Sequence, residues 1–281
     1  MRVYEYSVSD IYFKVICEAE ELVGESKFEL EKAPPNPGGV ELKLKRRTGE
    51  ASPGCAELVA ILHQSSADGY RILFVDKEQN VLNQIEASRD LRRFETFVAE
   101  NQRHAFESNI GEVVFRTAIL SYGGVVVHSA GIDCEGSGIL FCGPSGIGKS
   151  TQAGLWKQHK NAKILNADRT ALRVTEDGVL VYGTPWSGSS KENMNSKAAL
   201  KGIFFLRQAK ENSLSILSPS EAVNYMLPRC FLPFGCEELM DLALSNIEKI
   251  LGRVPSFLLS CLPDYEAVEM VSNCLGVQGR V

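Results

Sequence analysis

No apolar run in this chain reaches the ~18 residues a membrane-spanning helix needs, so no membrane partner is expected. The amino terminus, MRVYEYSVSDIYF, lacks the charged start and apolar stretch of a secretory signal, which predicts a cytoplasmic protein. A long basic block is also missing. Lys plus Arg number 30 against 35 Asp plus Glu, a formal charge of −5, and nucleic acid is therefore not an expected partner. The eight cysteines (Cys17, Cys55, Cys134, Cys142, Cys230, Cys236, Cys261 and Cys274) form no CxxC pair and sit mostly in apolar segments, which reads as buried reduced thiols rather than metal ligands or disulfides. No G-x-S-x-G elbow occurs, and neither Cys230 nor Cys236 has a His nearby in sequence, which leaves little support for nucleophilic hydrolysis. His63, His104 and His159 show no metal-ligand spacing and take no role.

What remains is ordinary globular composition, 44% hydrophobic and 23% charged over 281 residues, enough for two domains. The first, residues 1–108, carries strand signals at Val3 to Tyr6, Ile11 to Cys17 and Arg71 to Val75, with a turn at Asp76 to Gln79. Between them the polar stretch from Lys32 to Gly54 reads as a loop or a set of edge hairpins. No chemical motif occurs in this half. The second domain, residues 109–281, opens on a capping-box spacing, Asn109 to Glu112, with apolar residues at helical period until Gly123 and Gly124. Short apolar runs follow at Val125 to Ile132, Gly138 to Cys142, Lys163 to Leu165, Val179 to Tyr182 and Gly202 to Leu206. A helix over Glu237 to Leu251, a strand over Val254 to Cys261 and a helix over Asp264 to Val271 complete an α/β pattern.

One segment carries chemistry. Gly143, Pro144, Ser145, Gly146, Ile147, Gly148, Lys149 and Ser150 fit G-x-x-x-x-G-K-[ST], a phosphate-binding loop. Its glycines let successive backbone N–H groups turn toward one anion, Lys149 adds a compact cation, and the Ser150 hydroxyl is placed to ligate Mg2+. The context fits. Gly138 to Cys142 reads as a buried strand entering the loop, and Thr151 to Lys160 as a helix ending in cations. ATP or another nucleoside triphosphate is therefore the expected ligand, with Thr151 at the edge of its site. Lys149, standing where a dinucleotide fingerprint needs glycine spacing, argues against an oxidoreductase. Asp168 follows the strand-like Lys163 to Leu165, where it either holds the metal and accepts a proton or caps a surface turn.

The run from Val125 to Arg169 resembles the core of HPr kinase/phosphorylase-like proteins, which are related in fold to phosphoenolpyruvate carboxykinase, and is most like their kinase-like branch found in bacteria. His128 one hairpin before the loop, the loop itself and the acid at a strand end carry the likeness, with YGTPWSGSS (Tyr182 to Ser190) and the apolar Leu200 to Leu206 after them. The resemblance covers about residues 109–281. It implies a phosphate-loop kinase core beside a smaller, strand-rich N-terminal α+β domain, and an ATP-dependent, Mg-requiring phosphotransferase acting on a hydroxyl of a peptide, protein or small metabolite. Asp168, His128 and Lys149 would be catalytic, and Ser150 with Asp168 would bind metal. Self-association, frequent among relatives of the fold, is also implied. Where HPr kinases carry two adjacent aspartates, Ala167 precedes a lone Asp168, and the signature used in reverse phosphorolysis is not recognisable. Glu192 is either a second carboxylate or a solvated residue. Trp186, Ser187, Gly188 and Ser189 either line a pocket or form a connecting turn, and Arg169 and Arg207 are candidates for transition-state charge. The alternative to a kinase is a regulatory nucleotide-binding module or slow NTPase of the same fold.

Overall fold

The structure, a computed structural model, describes residues 1–18, 22–23, 26–34, 38–47, 58–99, 104–188 and 191–277. It is a mixed α/β protein with two sheets and two compact units, Met1–Ser121 with Leu232–Ala243, and Tyr122–Phe231 with Leu244–Val281. Among the described residues no helix is long and apolar enough to cross a membrane.

The first unit holds a seven-stranded sheet formed by β1 (Arg2–Val8), β2 (Ile11–Cys17), β3 (Val40–Arg47), β4 (Ala60–Ser65), β5 (Gly69–Val75), β6 (Val81–Ser88) and β7 (Arg93–Ala99), in the order β1-β2-β3-β7-β6-β5-β4. Strand β3 corrects the reading of Lys32 to Gly54 as loop or edge hairpin. It is an interior strand, parallel to both β2 and β7. Val40, Leu42 and Leu44 are buried, while Glu41, Lys43 and Lys45 occupy the other face and pair there with one another and with Glu95. A stripe of lysines therefore disguised a period-two strand as a polar loop. Pro35, Pro37 and the stretch 48–57, with Cys55, lie outside the described residues.

Helix α1 (Asn109–Ala118) belongs to the first unit, whereas its place after the last strand signals of the first half predicts that it opens the second. Its cap is Ser108, whose Oγ accepts from the Ile110 N–H, so the Asn109 to Glu112 capping box is not the one formed. Glu112 is buried and paired with Arg116 instead. The apolar face of the helix packs on the sheet through Phe115, whose ring lies 6.0 Å from Phe13. Phe106, just before the helix, stacks on Tyr6 at 4.3 Å.

Beneath α1 lies His63, 2% exposed, with Nε2 3.1 Å from the Thr117 hydroxyl. That hydroxyl donates to the Val113 carbonyl, so His63 must be the donor and Nδ1 the unprotonated nitrogen. Nδ1 is buried without a hydrogen-bond partner. Burial, and next the charge of Arg116, push the His63 pKa down to about 4. The unfolded imidazole titrates near ~6.5, so its contribution to stability is complete above that pH and is lost progressively as pH falls from there to about 4. Between pH 7.5 and 4.5 this one group is expected to remove about 2–3 kcal/mol. Denaturant midpoints measured at both pH values should show the wild type losing more than His63→Gln. Equal losses would refute the assignment.

The second unit begins with β8 (Gly124–Cys134) and β9 (Ser137–Cys142), followed by α2 (Lys149–Lys160), β10 (Lys163–Asn166), β11 (Arg169–Thr175), β12 (Gly178–Tyr182) and β13 (Lys197–Gln208). It closes with β14 (Ser213–Leu217), α3 (Pro219–Met226), the part of α4 (Glu237–Leu251) from Leu244 onward, whose earlier residues belong to the first unit, β15 (Ser256–Cys261) and α5 (Tyr265–Leu275). The pairings β8 with β9, β9 with β13, β13 with β12, β12 with β11 and β11 with β8 close a ring of five strands. From this ring β9, β13 and β15 continue as parallel neighbours. Helices α2 and α5 cover one face of these strands through Trp156, Val268 and Val271. These pack with Phe141, Phe204 and Phe257, the last two stacked at 5.0 Å. The carboxyl ends of parallel strands are where an α/β sheet leaves a crevice for ligands, and the Gly143–Ser150 loop leaves from such an end.

Candidate functional site

The loop is open rather than plugged: Pro144, Ser145, Gly146, Ser150 and Thr151 are exposed, with Ile147 and Gly148 half-buried. Gly146 and Gly148 have φ of +77° and +114°, a region that other residues enter only under strain, and this lets the chain turn from β9 into α2 within six residues. No side chain caps the start of α2, and a helix N-terminus left so by its own side chains suits an anion.

Lys149 points back across the loop and is 7% exposed. Its Nζ lies 3.1 Å from the Gly143 carbonyl, 3.1 Å from that of Pro144 and 3.0 Å from His128 Nε2. Three ammonium protons thus meet three acceptors, which requires Nε2 of His128 to be unprotonated and its proton to lie on Nδ1. Nδ1 in turn lies 3.1 Å from Asp168 Oδ1, and Arg169 Nη1 lies 3.4 Å from Oδ2 of the same carboxylate. Lys149, His128 and Asp168 therefore form one chain of hydrogen bonds, assembled from α2, β8 and the turn between β10 and β11. Burial pushes the Lys149 pKa down, opposed by the charge of Asp168. The His128 hydrogen bond, followed by Arg169, holds the Asp168 carboxyl below its ordinary range, so it is ionised at neutral pH.

Register explains the convergence. His128 on β8 lies opposite Arg169 on β11, and Ser129 opposite Cys142, the last residue before the loop. The Ser150 hydroxyl lies 3.5 Å from the Ala167 carbonyl, immediately before Asp168. One hydroxyl and one carboxylate suit Mg2+, which keeps several waters and completes its shell with phosphate oxygens. Among the described residues no group of three or more His, Cys, Asp or Glu side chains is placed to hold a metal, so the protein alone offers no closed cage. The Ala167 side chain sits in the apolar cluster under α2, a poor place for a second carboxylate.

Not every sequence candidate arrives. Glu192 is drawn away, its carboxylate 2.8 Å from Lys157 on α2. Arg207 donates through Nε to Ser260 on β15, on the far side of β13 from β9. Ser189 and Ser190 lie outside the described residues, whereas Trp186 is buried and Gly188 lies against the Asp168 carboxylate. Burial pushes the Cys230 thiol up to about 12 and that of Cys142 up as well, so neither supplies a thiolate at neutral pH. Cys274 is exposed, unlike the buried thiols the sequence led us to expect.

Two site residues escaped the sequence reading. Arg229 follows α3 in the segment that bridges β8 from Cys230 to Val127, beside His128, and its charge lowers the Lys149 pKa. Only a single-turn LPR segment marks it in sequence. Asn166, fully buried at the end of β10, organises the Asp168 turn. An Asn two residues before a candidate acid is the signal of an Asx turn and could have been read.

No family model matches the chain, and no curated protein does. Among solved structures, the Hpr(Ser) kinase/phosphatase of Coxiella burnetii aligns with 54% of this chain and 97% of its own, at 11% identity and a TM-score of 0.31.

Proposed function

We propose that the protein is an ATP-dependent phosphotransferase that uses Mg2+ and passes the terminal phosphoryl group to a hydroxyl. The observation that carries this reading is the hydrogen-bonded chain Lys149, His128, Asp168 at the mouth of a glycine loop open to solvent. Phosphoryl transfer asks a protein mainly for positioning and charge stabilisation, and the site offers both.

Lys149 exchanges loop carbonyls for phosphate oxygens, while the loop amides and the start of α2 take the rest of the polyphosphate charge. Arg229, whose charge is felt at Lys149, adds positive charge to the site at longer range. The acceptor oxygen forms a bond to the terminal phosphorus as the bond from that phosphorus to the bridging oxygen breaks. The nucleoside diphosphate leaves with that electron pair. The hydroxyl proton passes to the ionised carboxylate of Asp168, which His128 holds through Nδ1. Ser150 and Asp168 would hold the metal, which neutralises charge on the phosphate oxygens when bound.

A nucleotide-binding module without transfer is the second reading, favoured by a specific observation. The lone acid is already engaged by both His128 and Arg169. Incubating the purified chain with γ-labelled ATP, Mg2+ and hydroxyl acceptors, namely free serine, free threonine and Ser- or Thr-containing peptides, separates the two. Label moving to an acceptor supports the kinase. ATP bound and recovered intact supports the module, and failure to bind ATP ends both.

A further inference from the structure

Asn166 is 0% exposed, yet it is among the most heavily bonded side chains near the site. Its Oδ1 accepts the backbone N–H of Asp168 and that of Arg169, both at 2.8 Å. Its Nδ2 donates to the Thr184 carbonyl at 3.0 Å and the Trp186 carbonyl at 2.9 Å, with the Thr184 hydroxyl at 3.2 Å. One face of a single amide thus shapes the turn bearing the acid, and the other face anchors the segment after β12. The Thr184 hydroxyl adds a second tie, donating to the Arg169 carbonyl at 2.6 Å.

That anchored segment returns over the carboxylate. At Gly188 a Cβ would stand 2.8 Å from Asp168 Cγ and 2.9 Å from Oδ2, contacts that force the carboxylate to shift, and 3.2 Å from Asp168 Cβ. The carboxylate is therefore bounded on three sides: His128 Nδ1 at Oδ1, Arg169 at Oδ2, and the Gly188 backbone against its flank. It keeps its angle toward His128 because nothing larger than a hydrogen occupies that flank.

We infer that Asn166 and Gly188 are positioning residues that act as one clamp, fixing the Asp168 carboxylate toward His128 by tying the 184–188 segment to the Asp168 turn. The amide chemistry is specific. An aspartate at 166 keeps the acceptor side but turns an oxygen toward the carbonyls of Thr184 and Trp186, where a buried anion meets two more acceptors. Alanine at 188 leaves the hydrogen bonds of Asn166 in place and displaces the carboxylate, and with it the bond to His128. The clamp's catalytic consequence rests on the phosphotransferase reading, whereas its geometry does not.

The test uses the full chain as wild type, Gly188→Ala and Asn166→Asp, with His128→Gln to assign the His128 ring in the NMR spectrum. In wild type without nucleotide, the Nδ1 proton of His128 is expected far downfield, as for an imidazole bonded to carboxylate. Gly188→Ala should shift it upfield or lose it to exchange. If the wild type transfers phosphate, the same variant should lower kcat roughly 100-fold, the scale of a misplaced reacting group, with Mg-ATP affinity within about 3-fold. Asn166→Asp should do the same, and if it does not fold, Gly188→Ala decides alone. The clamp is overturned if the downfield proton is missing from wild type, if it persists unchanged in Gly188→Ala, or if that variant loses ATP affinity instead of turnover. A wild type that shows the proton but neither binds nor turns over ATP refutes the proposed function and leaves the clamp standing.

Discussion

Lys149→Ala is expected to raise the dissociation constant for Mg-ATP roughly 100-fold and to remove transfer with it, the scale set by losing charge-assisted hydrogen bonds to a buried anion. The ammonium is buried, and around it converge the glycine loop, His128 and, at longer range, Arg229. A second effect follows from the state without nucleotide, in which Lys149 satisfies the carbonyls of Gly143 and Pro144. Alanine leaves those acceptors to water and withdraws the donor on His128 Nε2, so the variant should also unfold about 1–2 kcal/mol more easily. Calorimetric titration with Mg-ATP and a denaturant melt test the two parts separately. Wild-type affinity in Lys149→Ala would mean that phosphate does not bind here.

Asp168→Asn should give the opposite division. Asparagine has the same shape and can still present an oxygen to His128 Nδ1, so the local packing under Gly188 survives. What disappears is the negative charge that accepts the acceptor's proton, and transfer should fall by about 100- to 10,000-fold, the range typical of general-base loss. Mg-ATP affinity should change only a few-fold, since the loop and Lys149 remain. Loss of the Asp168 charge also withdraws support for the Lys149 cation, which lowers the lysine pKa further. Transfer that persists in Asp168→Asn would remove Asp168 from the reaction. Loss of nucleotide affinity on the scale of Lys149→Ala would make it chiefly a metal ligand. The same titration and label-transfer assay read both outcomes.

Much of this site is legible in sequence because it is local. The loop, the strand entering it and the helix leaving it occupy consecutive residues, and β9 and α2 stand where the pattern places them. The long amphipathic helix α4 spans Glu237–Leu251, the stretch its period marks out. Elements whose polar face dominates their composition were harder to read. Strand β3 was hidden by lysine and arginine, and β11, RTALRVT, by its own threonines and arginines. Helix α3 carries a complete Ser218–Glu221 capping box that went unread because its body is only eight residues long.

By itself, the sequence determined the chemistry on offer: a glycine-rich bend with a lysine and a hydroxyl, a histidine on a neighbouring strand, and one acid at a strand end. Local backbone preferences and residue types suffice for that, because glycine turns and hydrophobic periods act over a few residues. Only the tertiary structure decided which of these groups meet. His128 reaches Lys149 because β8 pairs with both β9 and β11, and Asp168 reaches His128 because a buried Asn166 bends the turn after β10. Ala167 faces the core under α2, Arg207 turns toward β15, and Arg229 arrives from 61 positions beyond Asp168 through a single backbone bridge to β8. Strand register sets such meetings, and register is decided by which faces a whole sheet buries, a property no short stretch of residues contains.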